Sequence, residues 1–232
     1  MPNIDKNLDS IKQRMASACK KSGRLTEDVE LVCVTKAASI EEIGEALSLG
    51  VTNLGENRVK DASAKYAVIE DRAKWHLIGH LQTNKAKDAV KIFSLIHSVD
   101  SLRLAKEIDS QAAKIGKVQD VLIQVNASGE EAKFGIKPGE AESFIKELIL
   151  YRNINIKGFM TIAPEVEDPE TVRPYFRALR ELRDRINNLR LTTYDLRLLS
   201  MGMTNDFEIA IEEGSNMVRI GRAIFEVMHD KR

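Results

Sequence analysis

The feature that most constrains this chain is an eightfold alternation of two patterns. Short apolar runs occupy residues 31–36, 50–57, 75–80, 95–100, 120–126, 154–162, 196–201 and 217–221. Segments with apolar residues at helical spacing lie between them, at 39–47, 58–69, 84–92, 102–115, 138–151, 169–189 and 206–213. An apolar run rich in β-branched residues and bounded by polar ones reads as a buried strand. Strands that alternate with helices build a parallel sheet, because each crossover must carry the chain back to the same edge. Eight such units point to a closed (β/α)8 TIM-type barrel rather than an open doubly wound sheet. The 232 residues are close to the minimum for that barrel and leave no room for a second domain, so residues 1–232 are read as one. One further helix, over residues 3–22, precedes the first strand: Ile4, Leu8, Ile11, Met15 and Ala18 form an apolar stripe that ends near Ser22-Gly23. Its position before the barrel suggests a cover for the barrel's bottom.

Charge excludes several partner classes. Lys and Arg together number 35, as do Asp and Glu, so the formal net charge is zero and gives no electrostatic basis for binding nucleic acid or an anionic membrane. The two cysteines, Cys19 and Cys33, show neither CxxC pairing nor metal-ligand spacing, and Cys33 sits in an apolar strand as a small core residue. The first residues, Met1-Pro2-Asn3-Ile4-Asp5-Lys6, carry no apolar leader, and no apolar run reaches the length of a membrane span. A cytoplasmic protein is expected.

In a barrel of this kind chemistry is placed at the carboxyl edge of the sheet. The first strand ends there in Val34-Thr35-Lys36. A half-buried lysine amine at that edge is easily neutralised and suited to forming a Schiff base with an aldehyde, against the alternative of an amine that merely reaches solvent. The loops after strands seven and eight commonly hold phosphate. Here the first is Ser200-Met201-Gly202-Met203-Thr204-Asn205-Asp206, with two hydroxyls, a glycine and a helix start. The second is Arg219-Ile220-Gly221-Arg222, where Gly221 lets backbone approach a ligand closely. Asn205 with Glu208 could instead be a capping box, and Arg219 could pair with a carboxylate. His76 and His80 stand four apart, but on a strand that spacing spans about 13 Å, too far for one metal ion. His80 and Asn57, near the ends of strands three and two, are candidates for the rim of the same mouth. Strands one and eight adjoin in a closed barrel, so the amine and the phosphate loops would be neighbours. A ligand with both an aldehyde and a phosphate fits them, and pyridoxal 5′-phosphate is the common one.

At this point a family resemblance appears. Val34-Thr35-Lys36, Gly55-Glu56-Asn57-Arg58, His76-Leu77-Ile78-Gly79-His80-Leu81-Gln82-Thr83-Asn84-Lys85, Lys133-Phe134-Gly135-Ile136, Gly158-Phe159-Met160-Thr161, Leu199-Ser200-Met201-Gly202-Met203-Thr204-Asn205-Asp206 and Val218-Arg219-Ile220-Gly221-Arg222-Ala223-Ile224-Phe225 occur in the order seen in pyridoxal phosphate homeostasis proteins. The chain resembles that family over nearly its whole length and, more distantly, the barrel domain of alanine racemase, the fold-type III group of pyridoxal phosphate enzymes. The resemblance implies that Lys36 forms the Schiff base, and that Ser200, Thr204 and the backbone of Gly221 and Arg222 surround the phosphate. It also implies that Arg219 faces the pyridine nitrogen. Thr204 stands where many relatives have serine, which keeps the hydroxyl. Glu226 replaces the usual glycine after Ile224-Phe225 and leaves the C-terminal turn unassigned.

The expected function is that of a carrier or buffer of pyridoxal 5′-phosphate that regulates vitamin B6 supply without robust turnover. Apoenzymes that receive cofactor are the implied partners, and a monomer is expected. An amino-acid racemase is the alternative, but racemisation needs acid–base groups on both faces of the substrate. In alanine racemase one of these is a tyrosine from a C-terminal domain. This chain ends at Arg232, and Tyr66, Tyr151, Tyr175 and Tyr194 fall in or beside helical segments. A Schiff-base aldolase acting on a sugar phosphate is a third, weaker reading.

Overall fold

The computed structural model describes residues 2–192 and 195–226, so Tyr194 lies outside the described residues. Eight parallel strands close into a barrel in chain order: β1 Glu30–Val34, β2 Asn53–Glu56, β3 Lys74–Leu77, β4 Leu95–Val99, β5 Gln119–Gln124, β6 Ile154–Met160, β7 Leu198–Ser200 and β8 Met217–Ile220. Closure is made by β1 pairing with β8, where Val32 stands opposite Arg219 and Cys33 opposite Ile220. The helices are α1 Ile4–Lys21, α2 Ile40–Ser48, α3 Val59–Ile69, α4 Ala86–Ile92, α5 Leu102–Lys114, α6 Ala141–Leu148, α7 Arg173–Asn188, α8 Phe207–Glu212 and α9 Arg222–Phe225. Local chemistry sets several of their starts. Ser39 and Glu42 form a reciprocal capping box at α2, and Ser101 accepts the Leu104 N–H at α5. Short 3-10 turns precede α4, α6 and α7, so these helices start later than periodicity predicts.

Alternation along the strands divides the core in two. Outward residues such as Cys33, Leu54, Trp75, Leu77, Ile96, Val121, Val218 and Ile220 pack under the helices in the main apolar core. Inward residues form a smaller cluster of Val32, Ile78, Leu95, Leu122, Met160 and Met217. Cys33 is fully buried, and burial pushes its thiol pKa up to about 12, consistent with a core residue rather than a nucleophile.

The first helix corrects an expectation. It does not cover the barrel's bottom; α1 packs along the side, against α8, α9 and α2. Asn7 near its start donates to the Ile224 carbonyl at 2.9 Å, and Arg24 beyond its end donates to the Ser215 carbonyl at 2.6 Å. Ile224 follows β8 and Ser215 precedes it, so α1 spans the barrel's height beside that strand. The helix after β8 has only four residues. α1 therefore fills the outer place that a full eighth helix would take. Glu226 ends α9 by donating its N–H to the Arg222 carbonyl at 2.9 Å.

Candidate functional site

β1 delivers Lys36 to the carboxyl edge, and Thr35 anchors it. The Thr35 hydroxyl donates to Glu56 Oε1 at 2.6 Å, and Lys65 Nζ of α3 bonds both to that oxygen, at 2.6 Å, and to the Thr35 carbonyl. Glu56 is fully buried, and an unpaired carboxylate there would be costly, so Lys65 is integral to this corner. Glu56 Oε2 has no hydrogen-bond partner. The sequence assigned no role to Lys65, and none to Glu56 beyond its place in the Gly55-Glu56-Asn57-Arg58 motif. The available signal was a polar residue on the outward phase of β2, with a cation about two turns into the following helix.

Lys36 itself is exposed, not half-buried as its strand-end position suggested. It borders a cavity of about 330 Å³ with Asn57, Thr204, Arg219, Gly221 and Arg222, a volume in the range of small-molecule sites. Val34, Ile78, Met203 and Glu165 complete the lining; in the sequence the first three stand out only as members of motifs, and Glu165 is not singled out. Gly221 is needed where it stands: a Cβ there would lie 2.7 Å from the Val34 carbonyl oxygen. After it, the first turn of α9 leaves the N–H groups of Arg222 and Ala223 without partners inside the helix. Arg222 reaches across to Glu165 at 3.8 Å, a loose and exposed pair.

The β7–α8 loop is shaped by Gly202, whose φ of +93° favours glycine and whose Cβ would meet the Ala210 Cβ at 2.6 Å. The Asp206 carboxylate accepts the Met203 N–H and closes the turn. The alternative capping box of Asn205 and Glu208 does not form, because Asp206 is the N-cap residue and Glu208 pairs with Arg14 of α1 at 2.7 Å.

Three of the residues read from this loop sit beneath the cavity rather than on it. Ser200 is fully buried, and its hydroxyl lies 2.6 Å from Arg219 Nη1 and 3.0 Å from His97 Nδ1. It supports Arg219 from beneath the cavity. Met201 and Gly202 are buried as well; the Met201 N–H donates to Met217, and the Gly202 carbonyl accepts the Arg219 N–H. Thr204 is the loop hydroxyl that borders the cavity.

Arg219 is 3 % exposed, and its Nη2 donates to the Thr161 carbonyl at 2.8 Å. Its partners are a hydroxyl and a carbonyl rather than the paired carboxylate considered as an alternative. Burial pushes its pKa down to about 10, which leaves it a cation at neutral pH, and Asp206 opposes the shift.

His80 and Asn57 divide differently. Asn57 borders both the Lys36 cavity and a neighbouring one, whereas His80 borders only the neighbour, of about 360 Å³. There His80 stacks on Phe134, with centroids 3.9 Å apart, and its Nδ1 lies 3.3 Å from Asp100 Oδ2. His76 points into the barrel interior, away from His80, and no group of three or more His, Cys, Asp or Glu among the described residues is placed to hold a metal ion. Among the described residues no helix is long and apolar enough to cross a membrane.

Comparison with known proteins agrees with this architecture. The family model of the alanine racemase N-terminal domain matches residues 6–228. A pyridoxal phosphate homeostasis protein of Aquifex aeolicus is 43 % identical over 226 residues, which is 96 % of this chain and 97 % of that one. The protein of the same name from Escherichia coli is 33 % identical over 230 residues, 97 % of each chain. Among solved structures, PipY of Synechococcus elongatus with pyridoxal phosphate bound superposes with a TM-score of 0.83 at 31 % identity, covering 96 % of this chain and all of that one. An alanine racemase of Clostridium difficile shares the fold at a TM-score of 0.75 and 17 % identity, and this chain spans 58 % of its length. With the barrel, the matched domain and relatives similar from end to end, the chain belongs to the pyridoxal phosphate homeostasis protein family, built on the alanine racemase N-terminal domain.

Proposed function

We propose that this protein binds pyridoxal 5′-phosphate through Lys36 and buffers or carries it, regulating vitamin B6 supply without robust turnover of its own. One observation carries the reading. A primary amine, a hydroxyl, a close-approach glycine and two guanidinium groups border one cavity, through Lys36, Thr204, Gly221, Arg219 and Arg222. That donor set suits a ligand with an aldehyde at one end and a phosphate at the other. The ligand, when bound, supplies an electrophilic aldehyde conjugated to a pyridine ring.

Each residue then has a task. Lys36 would supply the primary amine that holds the aldehyde. Thr204 and the backbone at Gly221 and Arg222 hold the phosphate, with the Arg222 guanidinium adding charge. Arg219, a fixed cation on the wall, opposes protonation of a nitrogen set against it, because like charges repel. A ring held there would be a weaker electron sink, which would favour storage over turnover. Racemisation would also need an acid or base facing the substrate from each side. Among the described residues bordering this cavity there is no tyrosine or histidine; Tyr66 instead bonds Asp71 and packs on Trp75. The same reading has the protein act as a cytoplasmic monomer that hands cofactor to apoenzymes.

The binding test is borohydride reduction of the protein with pyridoxal 5′-phosphate, followed by peptide mapping. The pyridoxyl adduct is expected on Lys36, and an adduct mainly on another lysine would sink the assignment. The turnover test is exchange of the α-proton of L-alanine in deuterated water. Exchange at an enzyme-like rate that Lys36→Ala abolishes would favour the racemase instead.

A further inference from the structure

The inward positions of five strands carry an unbroken polar chain through the apolar barrel interior. Asn53 Oδ1 of β2 lies 3.3 Å from His76 Nε2 of β3, and His76 Nδ1 lies 3.0 Å from His97 Nε2 of β4. His97 Nδ1 lies 3.0 Å from the Ser200 hydroxyl of β7, which Arg219 of β8 meets at 2.6 Å. Both histidines are buried. Burial, helped by Lys74, lowers His76 to about 4, and burial with His76 and Arg219 nearby holds His97 well below the usual value. Both imidazoles are therefore neutral at neutral pH, each with one N–H and one bare nitrogen.

The two ends of the chain fix the direction of every proton in it. At one end the Asn53 amide nitrogen lies 3.3 Å from Glu30 Oε2, an acceptor, so Oδ1 is the atom that faces His76. His76 must then donate from Nε2, which leaves its Nδ1 bare. His97 must donate to that atom from its own Nε2, which leaves His97 Nδ1 bare and ready to accept the Ser200 proton. At the other end a guanidinium can only donate, so the Ser200 oxygen must accept from it. That leaves the Ser200 proton free to go to His97 Nδ1, in agreement with the arrangement set from the Asn53 end.

We propose that His76 and His97 are positioning residues for Arg219: held as Nε2–H tautomers, they turn the Ser200 proton away from the guanidinium, so that Ser200 and the Thr161 carbonyl grip Arg219 as two acceptors. Its remaining N–H donors are then left for the cavity it borders. With either histidine reversed, the Ser200 proton would be displaced from His97 and lose its acceptor, and the grip on Arg219 would slacken. The effect on cofactor rests on the reading of that cavity as the pyridoxal 5′-phosphate site, whereas the tautomers do not.

The experiment is nitrogen-15 NMR of the full chain labelled in histidine, before and after addition of pyridoxal 5′-phosphate. Nε2–H at both His76 and His97 is expected, and Nδ1–H at either overturns the proposal. His97→Gln, whose amide can accept from Ser200 and donate to His76, should bind the cofactor within about threefold of the parent. His97→Leu should weaken binding about tenfold and move the absorption maximum of the bound cofactor, with the borohydride adduct still on Lys36. An unchanged affinity and spectrum in folded His97→Leu also overturns the proposal. If that variant does not fold, Ser200→Ala takes its place with the same expectations. Absence of the Lys36 adduct in the parent protein would defeat the cofactor reading instead, and the tautomers would still decide this one.

Discussion

The two mouths of the barrel differ in a way that size alone would misjudge. The amino-end mouth holds the larger cavity, about 680 Å³ against about 330 Å³ at the carboxyl end. Its charged lining is balanced: Lys74, Lys157 and Arg197 stand with Glu30, Asp120 and Asp195. Several of its polar groups already serve one another, as Asn155 does Asp120 at 2.6 Å and Asn53 does Glu30 at 3.3 Å. The carboxyl-end cavity sets Lys36, Arg219 and Arg222 against Glu165 alone, and places them where loops can present backbone N–H groups. On the proposed function, a ligand with an aldehyde and a phosphate has its complement in the smaller cavity. The buried chain from Asn53 to Arg219 links the two mouths through the barrel.

The largest expected effect separates the mouths outright. Lys36→Ala should abolish the borohydride-trapped adduct while leaving stability within about 0.5 kcal/mol, since the side chain is exposed. Lys74→Ala at the amino end should leave the adduct intact. A trapped adduct that survives Lys36→Ala and disappears with Lys74→Ala would reverse the comparison.

Next in size is the linkage of the buried chain to pH. The histidines are neutral when folded and take up protons more readily when unfolded, so the unfolded state binds more protons between the two pKa values. Stability is thus full above pH 6.5 and falls as pH drops from there to about 4, by about 3 kcal/mol for His76 alone. Urea unfolding across that window should show the slope. A flat profile between pH 6.5 and 4 would mean that the interior histidines are not held neutral.

Gly202→Ala should cost about 1–3 kcal/mol, because the residue needs a positive φ and its Cβ would press on Ala210. The loop that carries Thr204 would shift with it, so cofactor affinity should fall along with the melting temperature. A variant of parental stability and affinity would show that the loop is not held in this conformation.

The smallest effect is the most selective. Thr204→Val removes one hydroxyl donor, worth about 1–3 kcal/mol toward a charged group, so pyridoxal 5′-phosphate should bind roughly tenfold more weakly. Pyridoxal, which has no phosphate, should be little affected. Equal weakening of both would take Thr204 off the phosphate. Asn155→Ala, at the opposite mouth, should change neither.

Much of this site was legible along the chain because barrel chemistry gathers at strand ends. Lys36 closes β1, Arg219 and Gly221 sit at the end of β8, and Thr204 follows β7, each marked by a break between an apolar run and a helical stretch. Other residues stand away from the cavity for reasons that no local pattern holds. Ser200 and Thr204 look alike in the sequence, two hydroxyls in one loop. The inward phase of β7 buries the first against His97, which comes from a strand 103 residues away, while the second reaches the cavity. His80 looked like a rim residue, and stacking on Phe134 from a distant loop draws it to the neighbouring cavity.

By itself the sequence determined the alternation, the parallel sheet, the strand order and the strand ends at which reactive groups collect. These follow from periodicity and from the short reach of the connections. Only the tertiary structure decided what the inward polar residues do. Closure of β8 on β1 brings Arg219 into the barrel opposite Val32, and Ser200 and the two histidines then become its support. Closure also decided that α1 would stand beside β8, because the four-residue α9 leaves room there for the amino-terminal stripe to bury its apolar face. Each of these pairings joins residues far apart in the chain, and a buried donor must find its acceptor wherever the fold supplies one.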